Sequence, residues 1–170
     1  MTPVEGDDIS GDGQTGVEKG VDVDDGCLAC DVTARRITPP GETIYEEGGW
    51  LLEHAISPVP LKGWLILKPK RHVEHLAALN RDEAQALGPL IEKVSNAMMN
   101  ALEPERVYLC SFGEVVKHVH LYFVPRYPNM PPAGPSILVR MGSEDSPWAC
   151  DDETAADAAS RVRAELLEEN

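Results

Sequence analysis

Residues 117–126 read Lys-His-Val-His-Leu-Tyr-Phe-Val-Pro-Arg, and polar and apolar side chains alternate along this stretch. Successive side chains of a β-strand point to opposite faces, so the alternation predicts a strand over His118–Pro125. His118, His120 and Tyr122 then share one face, about 7 Å apart at alternate positions. A half-exposed strand with solvated or carboxylate-paired histidines fits this decapeptide as well. Because imidazole ligates metals and attacks electrophiles, we also expect this face to carry chemistry.

Two other segments supply metal-ligating groups. Cys27-Leu28-Ala29-Cys30 places two thiols on one turn, and Pro69-Lys70-Arg71-His72 supplies a third histidine. Two thiolates from one turn and two distant imidazoles make a tetrahedral zinc site, which predicts zinc bound by Cys27, Cys30, His72 and His118. A redox pair and two unmetallated thiols are the alternatives. The redox alternative requires a preceding strand and a helix that starts at the pair, whereas Val32–Ile37 is β-prone.

A short segment before the histidine stretch is a candidate anion-binding loop. It reads Ser111-Phe112-Gly113-Glu114, and a glycine there lets backbone N–H groups approach an anion closely. By itself this pattern does not specify a ligand.

Together these segments resemble the histidine triad (HIT) family of nucleotide hydrolases and transferases. The family signature is His-φ-His-φ-His-φ-φ, with φ apolar, and this chain has His118-Val119-His120-Leu121-Tyr122-Phe123-Val124. Zinc-bearing members carry an N-terminal Cys-x-x-Cys and a Pro-Lys-x-His turn, which match Cys27–Cys30 and Pro69–His72. The resemblance extends from about Cys27 to Tyr127.

The chain departs from the family pattern at three positions. Tyr122 replaces the third histidine of the triad, where the transferase branch has Gln. Gly63-Trp64 stands where the family often has Gly-His, and Val115 stands where a Ser or Thr is common. Tyr122 therefore matches neither branch of the family.

The resemblance implies a function and a set of site residues. In the family the middle histidine attacks an α-phosphorus, which implies that His120 is the nucleophile and Tyr122 a second catalytic residue. Ser111, Gly113 and Glu114 lie where the family contacts substrate, and the zinc is structural. The chain would hydrolyse a dinucleoside polyphosphate or nucleoside phosphoramidate through a nucleotidyl-histidine. The alternatives are a nucleotidyl transferase or phosphorylase, and a non-catalytic nucleotide-binding protein on the same fold.

The net charge of −14 belongs to the two ends of the chain. Residues 1–26 and 144–170 each carry a net charge of −7, whereas residues 27–143 are neutral. Residues 1–26 contain no aromatic residue, so we expect a disordered acidic tail, followed by a HIT domain over 27–143 and an acidic C-terminal segment. The acidic balance argues against nucleic acid as a partner.

The chain shows no membrane-targeting pattern. No signal peptide or transmembrane run is recognisable, so we expect no membrane association. Four cysteines with a predicted metal role indicate a reducing cytoplasm. The location and the absence of membrane contact are expectations at this point.

The remaining elements predict an α+β fold. Asn80 and Glu83 form a capping-box pattern that opens a long helix, with a kink expected at Pro89. A second, acidic helix is predicted over Asp151–Glu168, with a buried stripe of Ala155, Ala159, Val162 and Leu166. Further strands are predicted over Thr43–Tyr45, Trp50–His54, Trp64–Leu67 and Arg106–Phe112. We therefore expect a HIT-like antiparallel sheet with one main helix packed on it and a C-terminal helix. The resemblance implies a homodimer.

Overall fold

The computed structural model describes residues 24, 26–131 and 146–168, in which five antiparallel strands form one sheet. The strands are β1 (Thr43–Glu47), β2 (Trp50–His54), β3 (Leu65–Pro69), β4 (Arg106–Cys110) and β5 (Leu121–Arg126). Their order is β1-β2-β3-β5-β4, which places β5 between β3 and β4. The helices are α1 (Leu28–Thr33), α2 (Arg81–Leu102) and α3 (Asp152–Glu168), with a 3-10 turn at Leu76–Ala78. The predicted α+β architecture is confirmed.

The N-terminus of α2 has the predicted capping box. The Asn80 side chain accepts a hydrogen bond from the Glu83 N–H, and the Glu83 carboxylate accepts one from the Asn80 N–H. These two bonds satisfy backbone donors that a helix start leaves without partners. The helix continues through Pro89 to Leu102 as one element, as predicted.

Helix α3 covers the core of its own chain. The predicted stripe of Ala155, Ala159, Val162 and Leu166 is fully buried, because α3 packs on α2 and β1. Gly41 makes this packing possible: a Cβ there would lie 2.7 Å from the Ala159 Cβ, and its φ of +73° favours glycine. The C-terminal helix is therefore part of the same folded unit as the sheet.

The two faces of β5 contribute to different hydrophobic clusters. Leu121 and Phe123 point into the main cluster with α2 and α3. Tyr122 and Val124 point into a smaller cluster that includes Trp64. The alternation read from the sequence is therefore confirmed across the sheet.

The predicted start of that strand is wrong. His118 and His120 precede β5, which begins only at Leu121. The reason lies in β3, which ends at Pro69, a residue with no backbone N–H to extend the ladder. The N–H of Val119 instead donates to the Val73 carbonyl at 2.6 Å. The histidines therefore lie on the connection between β4 and β5, just before the strand begins.

The predicted strand over Val32–Ile37 is also wrong. Residues Leu28–Thr33 form the short helix α1, in which the Asp31 N–H donates to the Cys27 carbonyl at 2.9 Å. The β-prone side chains do not decide the local structure here, because Cys30 and Val32 are buried by the rest of the fold.

Parts of the sequence interpretation fall outside the described residues. These are residues 1–23 and 25 of the acidic tail, residues 132–143 of the predicted HIT domain, and residues 144–145 and 169–170 of the C-terminal segment. In the part of the chain that the structure describes, no helix has the length and apolar character of a membrane span.

Candidate active site and metal centre

Four ligating side chains meet where α1 approaches the segment before β5. One ligand atom from each of Cys27, Cys30, His72 and His118 lies within 4.8 Å of the other three. The Nδ1 atom of His118 is 3.6 Å from both sulfurs, and the Nδ1 of His72 is 3.4 Å from the Cys30 sulfur. The edge between S and N in a tetrahedral zinc site is about 3.6 Å, given Zn–S near 2.3 Å and Zn–N near 2.0–2.1 Å. The cluster therefore has the dimensions of a Cys2His2 zinc site.

The imidazole of His118 is oriented for ligation. Its Nε2 lies 3.0 Å from the Pro69 carbonyl oxygen, which only accepts, so Nε2 carries the proton and Nδ1 presents its lone pair. Burial, together with the smaller effects of His72 and Lys68, lowers the pKa of His118 to about 4. A neutral imidazole is the form that binds a metal.

The structure also bears on the redox alternative for the cysteine pair. A helix does start directly after Cys27, which is one of the two features that alternative requires. However, two imidazoles lie within 3.6 Å of the sulfurs, and burial raises the pKa of Cys30. A redox-active thiol has a depressed pKa, so the surroundings favour a metal-binding role.

The second histidine, His120, has a defined partner on each ring nitrogen. Its Nδ1 lies 2.6 Å from the His118 carbonyl oxygen and therefore carries the proton. Its Nε2 lies 2.8 Å from the Tyr122 hydroxyl, which donates to it. Burial is the main cause that lowers the pKa of His120 below its ordinary value of 6.5, and the charge of Lys68 acts in the same direction. His120 is thus a neutral imidazole whose Nε2 lone pair faces the Tyr122 hydroxyl.

Tyr122 lies between aromatic neighbours. Its ring is 5.6 Å from Trp64 and 4.7 Å from His120, edge to face in both cases. Burial raises the pKa of Tyr122 above its ordinary value of 10, and nearby Cys110 and Glu114 act in the same direction. The phenol therefore stays protonated near neutral pH and remains a hydrogen-bond donor.

A pocket opens beside His120 and Tyr122. The apolar side chains lining it come mainly from α1 and from the strands and loops next to it: Leu28, Ala29, Val32, Ile56, Ile66 and Val116. Besides His120 and Tyr122, its polar lining consists of Glu53, His54 and Lys68. Apolar walls with a few fixed polar groups are typical of small-molecule sites.

The charged groups of this pocket form an ion-pair network. Glu53 and Lys68 are each at most 3% exposed, and the Lys68 Nζ lies 2.5 Å from the Glu53 carboxylate. The other carboxylate oxygen of Glu53 accepts from Arg35 at 2.7 Å. Because each charge has a partner, the network keeps a charged lining next to His120 without an isolated buried charge.

The predicted substrate-binding residues fall into two groups. The Ser111 hydroxyl donates to the His120 carbonyl at 2.7 Å, so it positions the backbone of the histidine segment. Gly113 and Glu114 are exposed on the connection between β4 and β5. No atom outside its chain neighbours lies within 4 Å of a Cβ built at Gly113, so the backbone there is open to a ligand.

Sequence reasoning missed the pocket itself. Leu28 and Val32 line it from α1, whereas the sequence interpretation placed Leu28 on the turn between the two cysteines and began a strand at Val32. Glu53 and Lys68 carry a signal that could have been used. Glu53 lies within the predicted strand Trp50–His54, and Lys68 directly follows the predicted strand Trp64–Leu67. A charged side chain in such an apolar stretch requires a partner when it is buried.

The chain is similar to known proteins over most of its length. The HIT domain family model matches residues 38–129. An uncharacterized HIT-like protein of Mycoplasma genitalium is 30% identical over 111 residues, covering 59% of this chain and 73% of that protein.

Solved structures share the fold. A Zn-bound histidine triad family protein from Mycobacterium smegmatis has a TM-score of 0.62 at 17% identity, covering 85% of this chain and 95% of that one. The Plasmodium falciparum diadenosine triphosphate hydrolase has a TM-score of 0.56 at 16% identity, covering 75% of this chain and 78% of that one. Because the family model matches more than half of the residues, this chain belongs to the HIT domain family.

Proposed function

We propose that this protein hydrolyses nucleotides at the α-phosphate, with His120 as the nucleophile. The observation that carries the proposal is the pair of hydrogen bonds on the His120 ring. Because Nδ1 donates to a backbone carbonyl at 2.6 Å, the attacking lone pair is on Nε2, next to the Tyr122 hydroxyl. The lowered pKa of His120 keeps this nitrogen unprotonated near neutral pH.

The pocket beside His120 supports a nucleoside as the bound group. A nucleobase has flat apolar faces and a polar edge, which matches apolar walls that include Val32 and Ile66 and a charged lining of Glu53 and Lys68. The sugar then extends toward His120, and the α-phosphate lies within reach of Nε2. The exposed connection at Gly113 offers backbone N–H groups for the phosphate oxygens.

The reaction proceeds in two displacements. In the first, the Nε2 lone pair forms a bond to the α-phosphorus while the bond from phosphorus to the leaving oxygen breaks. Tyr122 moves its hydrogen bond from Nε2 to the leaving oxygen, whose new charge it stabilises. In the second, water attacks phosphorus and releases a proton to the solvent, while the N–P bond breaks and its electron pair returns to Nε2. The products are a nucleoside monophosphate and the leaving group.

We propose that the Cys2His2 cluster holds a structural zinc. The fit is supported by the S···N distances of 3.4–3.6 Å and by the lone pair that His118 directs at both sulfurs. The Zn-bound relative with the same fold is consistent with this assignment. A bound zinc would link α1 to the segment that carries His120. It would not act on the substrate, because all four coordination positions are taken by the protein.

One observation favours a second candidate, a nucleotide-binding protein without turnover. The Tyr122 hydroxyl donates at 2.8 Å to Nε2 of His120, the nitrogen that would attack phosphorus. If Tyr122 held this position with substrate bound, the pocket would bind nucleotide and the phosphorus would remain uncleaved.

The test is hydrolysis of diadenosine tetraphosphate in water enriched in oxygen-18. Attack at the α-phosphate yields AMP and ATP, with the label in AMP, and His120→Asn abolishes both products. Symmetric cleavage to two ADP would contradict attack at the α-phosphate. Binding of AMP without turnover of the tetraphosphate or of a nucleoside phosphoramidate would support the non-catalytic candidate.

A further inference from the structure

An aromatic side chain next to the catalytic tyrosine is exposed to solvent. Phe112 lies on the connection after β4 and is 51% exposed. Its ring centroid is 6.3 Å from that of Tyr122, with the two planes tilted by 38°. Trp64, only 7% exposed, supports the Tyr122 ring from the protein interior. The three rings form a row that runs from the core to the surface beside the nucleophile.

Phe112 differs from other exposed apolar residues because its ring lies next to Tyr122. Leu109, three residues earlier on β4, is 43% exposed, but it pairs with Phe123 and so lies on the opposite face of the sheet from Tyr122. Cys110 pairs with Tyr122 and shares its face. Phe112 follows two residues later, and its ring lies next to that of Tyr122, whose hydroxyl donates to His120.

We propose that Phe112, supported by Tyr122, is a stacking site for an aromatic leaving group, and that this group is the second nucleoside of a dinucleoside polyphosphate. The inference rests on the proposed function and adds the class of leaving group. The pocket lined by Val32 and Ile66 takes the nucleoside that is transferred to His120. The polyphosphate is a flexible tether, so the second base reaches the exposed ring of Phe112.

Stacking is the contact that this surface offers. Every nucleobase has a π-face, and stacking on an aromatic side chain contributes about 1–3 kcal/mol without a requirement for one base. The attraction between two rings is strongest when they are offset or tilted, and the Trp64–Tyr122 and Tyr122–Phe112 pairs already have tilted geometries. A leaving group without a ring, such as inorganic triphosphate, gains nothing from Phe112.

The experiment compares two substrates that differ only in the second nucleoside, diadenosine tetraphosphate and adenosine 5′-tetraphosphate. Phe112→Ala is expected to lower kcat/KM roughly tenfold for the first and less than about twofold for the second. Phe112→Tyr, which keeps the ring, is expected to stay near wild type on both. Leu109→Ala removes a similarly exposed side chain from the other face and is expected to change neither value.

A binding measurement separates this inference from the proposed function. Calorimetry with methylene-bridged analogues of the two compounds is expected to show roughly tenfold weaker binding to Phe112→Ala for the dinucleoside analogue alone. If wild type hydrolysed neither substrate, the proposed function would fail and the binding ratio would still decide the stacking site. Equal effects of Phe112→Ala on the binding of both compounds, or no effect, would overturn the stacking site. A smaller mass of Phe112→Ala in size-exclusion chromatography would also overturn it, since Phe112 would then lie in a subunit contact.

Discussion

The ring of His120 is held by two different partners, and this asymmetry determines what Tyr122 can do. The His118 carbonyl fixes the proton on Nδ1, so only Nε2 can attack or accept. In the free protein Nε2 already accepts from the Tyr122 hydroxyl at 2.8 Å. In the proposed mechanism, the Tyr122 hydroxyl therefore competes with the α-phosphorus for the Nε2 lone pair and is also available as a donor to the leaving group. The balance between these two roles depends on the substrate.

Replacing Tyr122 with the family's histidine tests the donor role. Tyr122→His is expected to raise kcat/KM on nucleoside phosphoramidates, whose amine needs a proton to leave, because imidazole delivers protons near neutral pH. The gain on dinucleoside polyphosphates is expected to be smaller, since a polyphosphate leaves readily. The measurement is kcat/KM of both proteins on both classes.

Tyr122→Phe is the control for pocket shape, because it removes the hydroxyl and keeps the ring. Equal changes of Tyr122→His on the two substrate classes would show that position 122 shapes the pocket without acting as an acid. Inactivity of both wild type and Tyr122→His on both classes would favour the non-catalytic candidate.

The pH dependence follows from the same two residues. Attack requires neutral His120, and burial lowers its pKa below 6.5, so activity is retained at pH 6.5 and lost as the pH falls through the lowered value. The Tyr122 pKa is raised above 10, so loss of its proton does not reduce activity below that pH. We expect kcat/KM to be flat from about pH 7 to 9, with the acid limb below 6.5. An acid limb centred above pH 7 would contradict a neutral, buried nucleophile.

At the level of elements, the site depends on how three segments end or begin. β3 ends at Pro69, whose carbonyl accepts from His118, and the chain then turns so that His72 faces Cys30. α1 begins directly after Cys27, so Cys27 precedes the helix and Cys30 lies in its first turn. None of these side chains lies within a strand interior. The metal cluster therefore joins segments that the sheet hydrogen bonds do not hold together.

Loss of a metal ligand tests this joining role. Cys30→Ser is expected to lower bound zinc from about one per chain to near zero and to lower Tm by roughly 10 °C, because metal binding contributes to folding. Activity per folded molecule is expected to fall less than stability does, since the role that we propose for the zinc is structural. Zinc by elemental analysis and Tm by calorimetry are the readouts.

Cys150→Ser is the matched control, because Cys150 is a half-buried free thiol outside the cluster. It is expected to leave both the metal content and Tm unchanged. Purified wild type with less than about 0.2 metal per chain, and with an unchanged Tm after chelation, would contradict the metal assignment.

The contrast between α2 and α1 shows what could be predicted from this sequence. The capping box of Asn80 and Glu83 and the long apolar repeat are local signals, so α2 was predicted with its start. α1 has six residues, too few for local propensity to stabilise, and depends on burial of Cys30 and Val32. The alternation around Tyr122 was readable, whereas the strand start was not, because it depends on where the neighbouring strand stops.

The candidate site shows the same difference between features with a local sequence signal and features that depend on tertiary packing. The histidines, the cysteine pair and Tyr122 were identified because their spacing is local or resembles a family pattern. The pocket was not, because its lining comes from α1 and from side chains on separate strands such as Glu53 and Lys68. The Ser111 contact to the His120 carbonyl depends on the register of β4 against β5, which no local pattern specifies.

In the whole molecule, the N-terminal and C-terminal acidic segments have different relations to the core. Residues 152–168 form α3, whose Ala158, Val162 and Leu166 are fully buried in the main hydrophobic cluster. Residues 1–23 contain no aromatic residue. We therefore propose that the N-terminal acidic tail is dispensable, whereas the C-terminal acidic segment contains α3, which completes the core.

Two truncations test this difference. Deletion of residues 1–23 is expected to leave Tm and kcat/KM within error of the full chain. Deletion of residues 151–170 is expected to lower Tm by more than roughly 10 °C or to prevent soluble expression, because it exposes the apolar surface that α3 covers. Equal stability of the two truncated chains would contradict the role assigned to α3.

The central claim is that His120 becomes covalently nucleotidylated, and trapping the intermediate tests it most directly. Wild type is mixed with diadenosine tetraphosphate for a short time, quenched in base because N–P bonds are labile in acid, and digested for mass spectrometry. His120→Asn removes the attacking nitrogen, and His75→Asn, at an exposed histidine outside the site, is the control. The account predicts an AMP-sized adduct on His120 in wild type and His75→Asn, and none in His120→Asn. Undiminished turnover by His120→Asn, or an adduct on another residue, would contradict it.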